Sequence, residues 1–93
     1  MNALLRACRA YGVRVCFADL GNWGRSELRA EYDPQAREIR IHRDLASALV
    51  ARAIAHELYH HREAMGEIVV LPSRAQREAA AQEYARRLCG GTA

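Results

Sequence analysis

Lysine is absent from the 93 residues: all fourteen basic side chains are arginine, set against eleven acids for a formal charge of +3. An arginine-only composition reports codon bias more than a partner. A nucleic-acid footprint needs its cations on one face, whereas these run from Arg6 to Arg87 interleaved with glutamates, the pattern of a mixed solvated surface. Direct nucleic-acid binding is therefore not expected. Cysteine is scarce too. Cys8, Cys16 and Cys89 are odd in number and form no CxxC pair, which argues against a disulfide framework and fits a reducing compartment, the cytoplasm by default. No apolar run approaches a membrane span. The N-terminal MNALLRACRAYG is broken by Arg6 and Arg9 and lacks the apolar centre of a signal peptide. Nor is there a repeat or a Pro- or Ser-rich linker, and 93 residues leave no room for a second core, so residues 1–93 are expected to form one small domain.

What is present is a globular composition, 51% apolar and 27% charged, which excludes a predominantly disordered chain. Leu4, Leu5, Ala7, Cys8 and Tyr11 recur at helical spacing, predicting a short helix over 2–11 that ends near Gly12. The period then changes to two. Val13, Val15 and Phe17 alternate with Arg14 and Cys16, and the segment ADLGNWG that follows is loop chemistry. Leu28, Ala30 and Tyr32 alternate again, Asp33-Pro34 opens a turn, and Ile39 and Ile41 alternate with Glu38, Arg40 and His42. Three strands, mostly antiparallel, are expected.

Asp44 is a plausible N-cap for a long helix to Ala64, with no Gly or Pro before Gly66. Leu45, Leu49, Ala53, His56 and His60 share one face, and Val50, Ile54 and Leu58 lie alongside, so more than half of its circumference calls for burial. GEIVVLP is a short strand or a buried connection; the sequence does not decide. Ser73-Arg74-Ala75-Gln76 fits a capping box and opens a last helix to Cys89, stopped by Gly90-Gly91.

The middle helix carries AHELYHHREAM. Residues i and i+4 lie about 40° apart around a helix and one turn apart along it, so the rings of His56 and His60 point the same way, about 6 Å apart, and can share one zinc. Glu57 is about 100° round from His56. That is too far to join the pair as a ligand and near enough to reach a water on the metal, which is the position of a general base. The helix is apolar around the histidines, so an empty pair would have little to satisfy its ring nitrogens. Without a metal, the pair reads as two histidines hydrogen-bonded locally.

A catalytic zinc takes three protein ligands and leaves one position to water. His42, His61, Glu63, Glu67, Glu78, Glu83 and the cysteines are candidates for the third. His61 and Glu63 lie on the wrong side of their helix, and Glu67 has no fixed direction beyond a glycine. On the last helix Ala81, Tyr84, Ala85 and Leu88 form the apolar face, and Glu78 continues it. Glu83 lies on the polar side, where an i, i+4 pair with Arg87 accounts for it. A carboxylate aimed into a core needs a partner or a metal, which singles out Glu78, a salt bridge to a buried arginine being the alternative. Cys89 offers a thiolate that could block a zinc, against the simpler reading of a small buried helix residue.

HELYH followed by EAAAQEYARRL resembles the ImmA/IrrE-type zinc metallopeptidases and the small gluzincins called minigluzincins. The similarity lies in HExxH and in a later helix of the form E-x-x-A-x-x-(F/Y)-A, here Glu78, Ala81, Tyr84 and Ala85. It runs from about Tyr32 to Leu88. It implies an α+β, minimal zincin-like domain: N-terminal helix, small sheet, HExxH helix and C-terminal glutamate helix. It also implies Zn2+ as cofactor, with His56, His60 and Glu78 as ligands. Two departures stand out: Tyr59 replaces a frequent glycine, and Gln82 stands where many relatives have Asp or Asn. Proteins of this type often cleave helix-turn-helix repressors fused to or partnered with them, so the resemblance implies a repressor on another chain as one possible substrate.

The expected reaction is peptide-bond hydrolysis, with zinc lowering the pKa of a water and stabilising the oxyanion while Glu57 moves the proton. Tyr59, Tyr84, His61 and the arginines are candidates for a second electrophile. An extended substrate could pair with a free edge of the sheet. Two other classes stay open: a non-catalytic zinc-binding regulatory module using the same ligands, and a metal-free basic protein whose DNA binding would be salt-dependent and indifferent to a chelator.

Overall fold

The computed structural model describes residues 2–21 and 29–90. In chain order these form helix α1 (Asn2–Ala10), strands β1 (Arg14–Ala18), β2 (Ala30–Asp33) and β3 (Glu38–His42), and helices α2 (Ser47–Ala64) and α3 (Arg74–Leu88). Leu28 of the expected second strand, Asn22, Trp23 and Gly24 of the expected loop, and Gly91 of the helix stop lie outside the described residues.

The helix ends are set by glycine where the sequence places it. Gly12 adopts φ 77°, which only glycine takes without strain, and lets Val13 N–H reach the Cys8 carbonyl (3.0 Å) and Gly12 N–H the Arg9 carbonyl (3.0 Å). Gly66 closes α2 the same way: Glu67 N–H donates to Arg62 O (2.9 Å) and Gly66 N–H to Glu63 O (3.1 Å). The start of α2 differs from expectation. Asp44 does not cap it; the N-cap is Ala46, with no side-chain bond. Leaving β3, the chain turns first. Leu45 N–H donates to His42 O (3.0 Å) and Asp44 N–H to His42 Nδ1 (3.1 Å), so Asp44 is spent in the turn and the helix begins beyond it. At α3 the expected capping box is present: Gln76 N–H donates to Ser73 Oγ and Ser73 N–H to Gln76 Oε1, both at 3.1 Å.

The sheet has the order β1-β3-β2 and is mixed. β2 and β3 form the expected antiparallel hairpin, Tyr32 opposite Ile39, its turn fixed by Asp33 Oδ1 accepting from Gln35 and Ala36 N–H (3.0 and 3.2 Å). β1 pairs with β3 in parallel, Val15 opposite Ile39, so the antiparallel expectation holds at one ladder only. Segment 19–29 is too long for a tight hairpin, so β2 is free to leave β1's side. The central place goes to β3, whose Ile39 and Ile41 are fully buried.

One face of the sheet carries Ile39 and Ile41 against Ala53, Ile54 and Leu58 of α2, with Cys8 and Val13 completing the core. On the other face Arg40 binds Glu31 (2.7 Å), Asp33 (2.7 Å) and Glu38 (2.9 Å), tying the hairpin strands together. α3 packs along α2, with the rings of Tyr59 and Tyr84 5.6 Å apart and Arg62 Nη1 donating to Tyr84 Oη (3.3 Å). GEIVVLP is neither a strand nor buried. Val69 and Val70 are exposed in the α2–α3 connection, where no described strand edge is paired with them.

Candidate metal centre

α2 is buried almost all round from Ala53 to Tyr59, which draws polar side chains of the motif into the interior. His56 and His60 stand one turn apart with ring centroids 5.2 Å from each other. The capped start of α3 places Glu78 in its second turn, opposite the pair. Glu78 Oε1 lies 3.1 Å from His56 Nε2 and Oε2 2.9 Å from His60 Nε2, so the carboxylate spans both rings. Among the described residues, these three bring their ligand atoms within 4.8 Å of one another and could hold a metal ion. Two imidazole nitrogens and a carboxylate make a donor set that suits zinc and leaves a position open. The Glu78 side chain is 44% exposed, so the centre has an open side.

Burial shapes the electrostatics. It holds His56 below the usual imidazole range, opposed by the nearby Glu78 carboxylate. Glu57, only 8% exposed, has its carboxyl pushed up to about 7, first by burial and then by the charges of Glu78 and Glu31, with His60 pulling the other way. An acid with that value exchanges protons readily near neutrality.

The other candidates for a third ligand go elsewhere. His42 is buried at the end of β3, its Nε2 3.8 Å from Asp19. Glu67 pairs with Arg62 (3.0 Å), and Glu83 accepts from Arg87 (3.2 Å), as expected, and also from Arg86 (2.7 Å). Cys89 is exposed rather than buried. It lies eleven residues beyond Glu78, about 16 Å along the helix, and so out of reach of the centre. Among the candidate electrophiles, His61 is excluded because both ring nitrogens are engaged, whereas the Tyr84 hydroxyl accepts from Arg62 and keeps its own O–H free to donate.

Two residues dismissed on helix geometry prove informative. His61 is fully buried: Tyr32 O–H donates to its Nδ1 (2.7 Å) and its Nε2–H donates to Tyr11 O (2.7 Å), joining α2 to β2 and to the end of α1. Its place three after Leu58 and seven after Ile54 was the available signal. Glu63, one turn beyond His60, lies with Oε1 2.8 Å from His60 Nδ1, at an i, i+3 spacing readable from the sequence.

Residues 8–89 match the model of the M78 peptidase family, described as the IrrE N-terminal-like domain. The chain belongs to this family. No curated protein and no solved structure gives a match. The IrrE-type assignment fits the α+β arrangement of three helices and a mixed three-stranded sheet, that of a small zincin-like domain. It gives the His56–His60–Glu78 cluster the context of a peptidase. No helix among the described residues is long and apolar enough to cross a membrane.

Proposed function

We propose that this IrrE-type domain is a zinc-dependent endopeptidase, with His56, His60 and Glu78 as metal ligands and Glu57 as general base. The observation that carries the reading is the convergence of two ring nitrogens and one carboxylate beside a buried acid, within a peptidase-family fold. Bound zinc would supply Lewis-acid polarisation of a water and of the scissile carbonyl. Glu57 takes a proton from the attacking water as the carbonyl carbon becomes tetrahedral, and returns it to the departing nitrogen as the C–N bond breaks. Its low exposure keeps bulk water from competing for that proton.

The sheet supports one placement of the substrate. β1 and β2 are its edges, and β2 is the edge that packs beside α2 and places Glu31 within electrostatic reach of Glu57. Because His42 N–H bonds Arg29 O (2.9 Å), ladder alternation directs Glu31 toward β3 and turns the N–H and C=O groups of Ala30 and Tyr32 outward. An extended peptide segment of a protein substrate, a repressor on another chain being one example, would add there as a further strand.

The test is Glu57→Gln. The variant should bind zinc as wild type does and lose roughly 10²- to 10⁴-fold in peptide cleavage. Equal cleavage by the variant would remove Glu57 from the mechanism, and a wild-type protein that binds zinc but cleaves no peptide from a diverse library would leave a binding module.

A further inference from the structure

The two histidines of the centre are not held alike. To present an Nε2 lone pair, an imidazole must carry its proton on Nδ1, and that N–H needs an acceptor when buried. At His60 the acceptor is present: Glu63 Oε1 lies 2.8 Å from Nδ1. At His56 it is not, since Nδ1 is buried without a hydrogen-bond partner among the described residues. Gln82, one turn beyond Glu78, is exposed and does not bond to the His56 Nδ1.

Glu63 is placed where a carboxylate is otherwise costly. Its side chain is only 9% exposed, its Oε2 is buried without a partner, and it stands in the last turn of α2, whose carbonyl end repels negative charge. Among the described residues, the one side-chain partner of this acid is the His60 ring.

We propose that Glu63 is a positioning residue: it fixes the ring and tautomer of His60, so that the centre is anchored through His60 while His56 is the weakly supported ligand. This rests on the reading of His56, His60 and Glu78 as a zinc site. The carboxylate also makes the ring a stronger donor, so its effect appears in metal affinity before any turnover.

The experiment titrates zinc against a chromogenic chelator in the wild type, Glu63→Ala and Glu63→Gln, alongside unfolding of each metal-free protein and ¹⁵N NMR of the zinc-loaded histidines. Wild type should bind about one zinc, with the proton of His60 on Nδ1. Glu63→Ala should bind about 10- to 100-fold more weakly, and its His60 Nδ1–H should exchange faster with solvent. Glu63→Gln, whose amide oxygen still accepts, should recover part of that loss with the metal-free stability of the wild type. Unchanged affinity in both variants overturns the proposal. So does a loss matched by falling metal-free stability with His60 Nδ1–H unaltered, since Glu63 would then only support the fold. A wild type that binds no zinc fails differently, removing the site itself.

Discussion

A carboxyl pushed up to about 7 in the metal-free protein has a thermodynamic consequence at Glu57. Below about 4.5, its ordinary value, the group is protonated folded or unfolded and costs nothing. As pH rises toward 7 the unfolded chain releases the proton first, so stability is lost across that window and levels off above it. The shift amounts to up to about 3 kcal/mol. Glu57→Gln removes the titration. In the presence of a chelator, urea unfolding should show the variant gaining on wild type from pH 5 to pH 8, and a gap that stays flat with pH would contradict the burial argument. His61 supports a second prediction. Tyr32→Phe deletes the hydroxyl that donates to a fully buried Nδ1, and leaving that acceptor unsatisfied should cost about 1–3 kcal/mol. A urea midpoint equal to wild type would mean the ring finds another donor.

Among the elements, β2 is the one that the proposed substrate placement uses, because its free edge belongs to the strand that packs beside the helix carrying Glu57. If a peptide adds there, the amides of Ala30 and Tyr32 should become protected from hydrogen exchange when an uncleaved substrate binds Glu57→Gln, while those of β1 stay unchanged. Protection at β1 instead would move the substrate to the other edge. Helices were easier to read from the sequence than strand order. Ser73, Gln76, Gly12 and Gly66 act on their immediate neighbours, so their capping roles are local and visible in the chain. The parallel pairing of β1 with β3 depends on where the chain returns after segment 19–29, which no local pattern encodes. The side of α3 that bears Glu78 was legible because a helix face is periodic, although its side chain is 44% exposed rather than aimed into a core. The partners of His61 were not legible, because helix geometry gives the direction of a side chain but not what tertiary packing sets in front of it, whereas the Glu63–His60 contact is local and contained in the i, i+3 spacing. The turn formed by His42, Asp44 and Leu45 displaced the start of α2 for the same reason: its partners come from the end of a strand.

For the whole molecule, a metal at this centre would tie the sparsely buried α3 to α2. α2 lies on the sheet, but α3 is buried only at Ala81 and Ala85 and is held mainly along α2. In a domain of this size a single core leaves a narrow margin, and a ligand bound by the folded state alone adds to it directly. At a free zinc concentration 100 times Kd the gain is about 2.7 kcal/mol, equivalent to a rise in Tm of roughly 10–20 °C at about 4–8 °C per kcal/mol. Thermal unfolding of the wild type should therefore shift upward with zinc, return with chelator, and show no zinc response once His56 and His60 are both replaced by alanine. Magnesium should do much less, because it favours oxygen ligands and retains its water. A double variant that keeps the zinc shift would place the metal elsewhere on the chain, while a wild type with the same Tm with and without saturating zinc would leave the Glu78 carboxylate as the bond that closes α3 onto α2.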